Sequence, residues 1–241
     1  MEQEKRNKKY GTFGKRLQRS KTLEKFYHLL RKVEPDNLIK LMSQTDLVER
    51  NPVENASKFL ILLNFIRKSK LLSTYEREDV HRLIEALLKN IQHLRYTEVS
   101  ALAVLLDRMR INKVEYFREI EKRVIEDAIK LSIRTISNVI YSFGRISVNQ
   151  SVLEDFSELF RTFENIIALR AGDMKPKDLS QVAIGYSKSQ NFSPELLYVI
   201  EQASINQFSA MQCQEMSAIA HSFIKNDYKS EKFFDLISKY F

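Results

Sequence analysis

The chain has very little that would let it cross-link, turn tightly or enter a bilayer. Its single cysteine, Cys213, excludes an intramolecular disulfide, and a reducing or redox-indifferent compartment is the natural reading. Five glycines and four prolines in 241 residues are too few for the turns of a β-rich protein. The longest apolar runs, such as Phe59 to Leu63, stop far short of the roughly 20 residues a membrane span needs, so no membrane insertion is expected. Signatures of chemistry are also missing. None of His28, His81, His93 and His221 pairs with another His or with Cys at metal-ligand spacing. His81 and Glu85, one helical turn apart, suit a surface pair better than a metal site. Glu126-Asp127 and Glu154-Asp155 suit solvated helix faces. Neither a glycine-rich phosphate loop nor a nucleophile elbow, kinase signature or HExxH motif occurs. The expectation is a non-enzymatic chain with no cofactor, no metal and no small-molecule substrate.

What the chain does have is repetition. An apolar residue followed by Ser recurs as Ala56-Ser57, Val99-Ser100, Ile136-Ser137, Leu179-Ser180 and Met216-Ser217, with serine spacings of 43, 37, 43 and 37. Apolar residues follow each serine at +2, +3 and +6: Phe59, Leu60, Leu63; Leu102, Ala103, Leu106; Val139, Ile140, Phe143; Val182, Ala183, Tyr186; and Ile219, Ala220, Phe223. A period near 40 residues marks a stacked helical array whose units bury their apolar faces on one another. The fold class expected is all-α, a right-handed α-solenoid of about five helix–turn–helix repeats starting near 51, 95, 132, 175 and 212. The paired helices fall at about 52–67 and 74–90, 97–110 and 113–130, 134–146 and 151–168, 177–189 and 194–206, and 213–225 and 230–240. Pro52, Ser73-Thr74-Tyr75-Glu76, Ser151-Val152-Leu153-Glu154, Pro176 and Ser193-Pro194-Glu195 mark helix starts. An atypical helical pair over 20–33 and 36–42, broken at Pro35, precedes the repeats as a cap.

The recurring serines read as packing positions, where a small side chain lets helices approach and its hydroxyl bonds back one turn. Gly144 and Gly185 read as close packing or an early helix stop. Cys213 reads as a buried or half-buried thiol at a helix start.

Charge divides the chain unevenly. Residues 1–21 carry Lys5, Arg6, Lys8, Lys9, Lys15, Arg16, Arg19 and Lys21 against Glu2 and Glu4, while the other 220 residues hold only +2 of the net +8. This basic arm is read as a flexible extension, and 22–241 as one solenoid domain. Lysine and arginine neutralise phosphates and release counterions, and Tyr10 and Phe13 between them can stack on unpaired bases. These ten residues are the candidate RNA-binding set. Organelle targeting is the competing reading of the arm, although Glu2 and Glu4 are foreign to a standard presequence. At the other end, Phe233, Phe234, Ile237, Tyr240 and Phe241 make an apolar terminal helix. A terminal repeat normally shows water a polar face, so these five are candidate partner-binding residues; the competing reading folds them inward.

The units Ile136-Ser137-Asn138-Val139-Ile140-Tyr141-Ser142-Phe143-Gly144, Leu179-Ser180-Gln181-Val182-Ala183-Ile184-Gly185-Tyr186-Ser187 and Met216-Ser217-Ala218-Ile219-Ala220-His221-Ser222-Phe223 resemble the Leu-Ser-x-Ile-Ala-x-x-Phe/Tyr helices found beside RAP domains and in FAST-kinase-like and octotricopeptide proteins. The resemblance spans about residues 50–241 and is clearest from 130 onward. It implies work on organellar RNA, in mitochondria or chloroplasts, including places in mitochondrial ribosomes. No RAP domain follows the repeats in this sequence, so nuclease-like activity is not implied. The resulting expectation is a non-catalytic structural subunit of a mitochondrial ribonucleoprotein, foremost the mitochondrial ribosome. It would bind rRNA through the arm and neighbouring proteins through the solenoid. The alternatives are a protein–protein scaffold, such as an accessory subunit of a respiratory complex, and a free RNA-binding regulator.

Overall fold

Apolar residues recurring three and four apart, with few glycines and prolines between them, leave helix as the one local structure that gives each stretch a single buried face. The computed structural model describes residues 52–68, 78–148 and 156–240. These form α-helices α1 (Pro52–Lys68), α2 (Glu78–Lys89), α3 (Tyr96–Met109), α4 (Val114–Glu126), α5 (Ile133–Val148), α6 (Ser157–Arg170), α7 (Pro176–Ser189), α8 (Pro194–Asn206), α9 (Cys213–Lys225) and α10 (Glu231–Tyr240). No strand occurs among the described residues, and no described helix is long and apolar enough to cross a membrane. The basic arm, the helical pair at 20–42, the starts at Ser73–Glu76 and Ser151–Glu154, and Phe241 lie outside the described residues. The chain divides into two compact units, one reaching to Ile111 and one running from Asn112.

In the first unit α1 packs on α2 and α3. Phe59, Leu62, Leu63 and Ile66 of α1, Val80 and Ile84 of α2, and Val99, Leu102 and Leu106 of α3 are fully buried. The second unit holds two rows of helices. The first helix of each pair lies beside the next, α5 against α7 and α7 against α9; the second helices follow as α4, α6, α8 and α10, each touching its successor. The residue six places after each marked serine lies in the interior between the rows. Phe143 meets Phe117 of α4 edge-on at 5.3 Å and Phe156 at 5.0 Å, and Tyr186 meets Phe160 of α6 at 5.1 Å. Tyr186 also donates to the Phe160 carbonyl at 2.7 Å, which satisfies a phenol that burial would otherwise leave unpaired.

Three of the five marked serines, Ser100, Ser137 and Ser180, are buried packing positions, whereas Ser57 is half-buried and Ser217 exposed. Ser100 and Ser137 donate back to the carbonyls of Tyr96 and Ile133, and Ser180 to that of Lys177; all three are buried. Ser57 reaches the Glu98 carboxylate of α3 instead. Gly144 and Gly185 mark close approach rather than a stop, for α5 continues to Val148. A Cβ on Gly144 would stand 2.6 Å from the Cα of Gly185 on α7.

Two recurrent devices have no part in the serine signature. The second helices α2, α4, α6 and α8 each run into a 3-10 turn followed by a buried extended residue: Ile91–His93 then Leu94, Ala128–Lys130 then Leu131, Ala171–Asp173 then Met174, and Phe208–Ala210 then Met211. The expected second helix at 113–130 therefore ends at Glu126, with the 3-10 turn taking its last residues. The following first helix opens with its third residue reaching back to the cap amide. Glu98 accepts from Arg95 N at 3.0 Å, Asp178 from Lys175 N at 3.2 Å and Glu215 from Gln212 N at 2.9 Å, half of a capping box.

Carboxylates tie the second helices together. Glu164 of α6 accepts from the hydroxyl of Ser193, the N-cap of α8, and Glu201 of α8 accepts from Ser230 just before α10. Each negative charge sits at a helix N-terminus, where the aligned peptide dipoles favour it. Glu121 of α4 is the equivalent group. Burial raises its pKa, and Arg118 at 2.9 Å offsets part of the rise.

Candidate nucleic-acid interface

Because three helices of the second unit lie side by side, residues at matching offsets from the serines form columns. At +8 the sequence reads Arg145, Lys188 and Lys225 on α5, α7 and α9. At +4 it reads Tyr141, Ile184 and His221, and at +1 Asn138, Gln181 and Ala218. All nine are half-buried or exposed, as offsets of one and four turn away from the buried +2, +3 and +6 face. The columns are held in register by bonds between helices. Gln181 Nε2 donates to Asn138 Oδ1 at 3.1 Å, Arg134 pairs with Asp178 at 2.5 Å, and Lys225 Nζ donates to the Ser187 carbonyl at 2.9 Å.

Between the columns runs a groove of 570 Å³ lined by Tyr141, Ile184, Lys188, Cys213, Ser217 and His221. The Arg145 guanidinium stands 5.8 Å from the centroid of the Tyr141 ring, within cation–π range. Lys188 is the one lysine or arginine in the lining of this shallow groove; with Arg145 and Lys225 at the same offset on the neighbouring helices and the Tyr141 ring in the lining, the face suits a linear polyanion carrying flat groups. Among the described residues no group of three or more His, Cys, Asp or Glu could hold a metal ion.

The candidates taken from the sequence fall elsewhere. Lys5, Arg6, Lys8, Lys9, Tyr10, Phe13, Lys15, Arg16, Arg19 and Lys21 all lie outside the described residues. Phe233 is fully buried, its ring 5.5 Å from Phe223 and 5.9 Å from Phe208, so it belongs to the core. Phe234 and Ile237 are half-buried, and Tyr240 is 58% exposed with its ring 6.0 Å from Phe208. Cys213 is exposed, contrary to the buried or half-buried placement expected. It occupies the first position of α9, four before the serine, where Ile133 of α5 is buried and Pro176 of α7 half-buried.

The +8 column went unread because the apolar signature draws attention to the face that is buried. Counting outward from the serines finds it: Arg145, Lys188 and Lys225 stand at +8 in the three repeats of the second unit. No family model matches the chain, and no curated protein matches it.

Proposed function

We propose that this chain is a non-catalytic structural subunit of a mitochondrial ribonucleoprotein, foremost the mitochondrial ribosome. The basic segment 1–21 contacts rRNA, and the row α5–α7–α9 adds a second, shorter contact. The observation that carries this reading is the +8 column beside Tyr141: regularly repeated cations on one helical row, with ring and amide groups at fixed offsets from them. The interior of each repeat is filled by aromatic and aliphatic side chains, which suits a scaffold whose work is done at its surface.

Sedimentation of the endogenous protein with and without RNase tests the assembly. The expected result is co-migration with ribosomal subunits that RNase abolishes; migration unaffected by RNase overturns the reading. Salt dependence of RNA binding tests the arm. Eight cations contacting a single strand give a log–log salt slope of about −5 to −6. Deletion of residues 1–21 should remove most of that slope.

A scaffold reading is favoured by a separate observation. Ile129 and Leu169 are 87% and 88% exposed, and apolar side chains this bare suit contact with protein. In a ribonucleoprotein the two readings meet, with protein neighbours on one surface and RNA on the other.

A further inference from the structure

The last pair of helices, α9 and α10, leaves open positions that the preceding pairs keep closed. On the second helices one column reads Phe117, Phe160, Leu197 and Phe234, and the next reads Ile120, Phe163, Ile200 and Ile237. The register is set by the helix starts and by the Ser193–Glu164 and Ser230–Glu201 bonds, which occupy equivalent places. The first three members of each column are buried, whereas Phe234 and Ile237 are half-buried. What covers Phe117 and Phe160 is the +6 aromatic of the following first helix, Phe143 and Tyr186 respectively.

The first-helix row is uncovered at the same end. The +7 residues Gly144 and Ser187 are buried, but Ile224 is 64% exposed. Likewise Ser137 and Ser180 are buried while Ser217 is exposed. A groove of 610 Å³ runs here, lined on its apolar side by Ile224, Tyr228 and Phe234. Asp227, Glu231 and Asp235 line the same groove together with one cation, Lys229; all four are exposed, and none is in an ion pair among the described residues. Tyr228 is fixed in place by its bond to Glu201 at 2.7 Å.

We propose that this groove receives a helix of a partner protein that imitates the next first helix: basic, with an aromatic residue to cover Phe234 and a small residue immediately before it. Register specifies the aromatic, because Phe143 and Tyr186 fill the equivalent place in earlier repeats. Close approach specifies the small residue, because Gly185, one position before Tyr186, is what faces Gly144. Three carboxylates against the single Lys229 leave the lining net acidic, which specifies the charge; an acidic helix or a second copy of this same face would be repelled. The surface is one of the protein contacts of the proposed ribonucleoprotein subunit, and so rests on that reading, yet it uses none of the residues assigned to RNA.

The probe is a stapled, fluorescein-labelled peptide of this chain's own α7 sequence, residues 176–189, carrying Asp178→Lys and keeping Gly185 and Tyr186. Anisotropy against the full chain should show saturable binding. Tyr186→Ser in the peptide, or Phe234→Ala in the protein, should weaken it about tenfold, the order expected when an aromatic pair is removed from a desolvated contact. Joint Asp227→Asn, Glu231→Gln and Asp235→Asn, on exposed positions that leave the core intact, should weaken it several-fold at low salt and little at high salt. Binding of poly(U) should be unchanged in every protein variant, which separates failure here from failure of the RNA reading. Absence of saturable binding overturns the proposal. So does an affinity that neither the Tyr186→Ser change in the peptide nor neutralisation of the acidic rim alters.

Discussion

Replacing Gly144 with alanine tests whether two helix backbones set the spacing of the second unit. The added Cβ would stand 2.6 Å from Gly185 Cα and 2.8 Å from Gly185 C. Both atoms are backbone, so no rotamer change can relieve the contact. Reaching an ordinary separation requires α5 and α7 to part by about 1 Å. A gap of that size forfeits a quarter to a half of the dispersion energy of the atom pairs it separates, and overpacking of a filled interior typically costs about 1–3 kcal/mol. Alanine returns about 1 kcal/mol through its better helix propensity. The Asn138–Gln181 and Arg134–Asp178 bonds, which span the same two helices, would stretch as well. Packing less propensity leaves about 0–2 kcal/mol, and the stretched bonds bring the expected net loss to about 1–2 kcal/mol. Gly185→Ala should cost as much, because its Cβ would meet the Ile140 carbonyl oxygen at 2.6 Å. Gly172→Ala is the control: nothing lies within 4 Å of its added Cβ, so it should be neutral or stabilising by about 0.4–1 kcal/mol. Urea unfolding followed by circular dichroism at 222 nm reads all three variants. If Gly144→Ala unfolds at the same urea concentration as Gly172→Ala, the close Gly–Gly contact is not what spaces these helices.

Other outcomes follow from the same geometry. Ser137→Leu should destabilise by about 1–3 kcal/mol, because Ser137 is fully buried and the added volume has no room. Ser217→Leu, on the exposed member of the series, should stay within about 0.5 kcal/mol of wild type; equal losses at the two sites would contradict the packing role. Charge reversal at Arg145 and Lys188 together should weaken binding of a labelled uridine oligomer and flatten its salt dependence by about one to two units of slope, and unchanged binding would remove α5–α7–α9 from the interface. Asp127 has a lowered pKa because Lys130 bonds it at 2.7 Å, with Arg123 adding to the effect. Its contribution to stability is complete above the ordinary value of 3.8 and is lost as pH falls through the lower folded value. Glu121 behaves oppositely. Burial raises its pKa above 4.5, so stability declines as pH rises from that value through the folded one. Urea midpoints from pH 3 to 7 should therefore show Asp127→Asn with a flatter acid limb and Glu121→Gln without the decline above pH 4.5.

Helix positions were legible in the sequence because each depends on a local pattern. The first helices begin at Pro52, Tyr96, Ile133, Pro176 and Cys213, each one residue after the repeat start read from the serine spacing. Pro194 with Ser193 before it placed the start of α8. Harder to see were features whose partners lie a repeat away. Glu121, Glu164 and Glu201 recur at spacings of 43 and 37, as the serines do, but glutamate on a helix ordinarily signals solvent. Only the arrival of the next helix N-terminus makes these carboxylates structural. The buried Leu94, Leu131, Met174 and Met211 were hidden for a different reason: a single extended residue carries no periodicity of its own. At the terminal helix, apolar content was visible, but which side faced inward was not. The register of α10 against α8 assigns Phe233 to the core and leaves Phe234 and Ile237 half-covered.

The handover from one pair to the next has a nearly constant form. Between a second helix and the next first helix, 90–95, 127–132, 171–175 and 207–212 each comprise a 3-10 turn, a buried extended residue and a cap. That path cannot lengthen without moving its buried residue out of the interior and shifting every later helix. In the second unit it is also bonded across repeats, since Arg170 donates to the Leu131 carbonyl at 3.0 Å and Gln207 to that of Met174 at 2.7 Å. The connector within a pair spans 110–113, 190–193 and 226–230 in three pairs. Where it meets the second helix it is tied to the preceding second helix, through Ser193 to Glu164 and through Tyr228 and Ser230 to Glu201. Stacking in the second unit is thus specified at both edges, where one pair hands over to the next and where each later second helix begins, and the basic column at +8 is aligned by both.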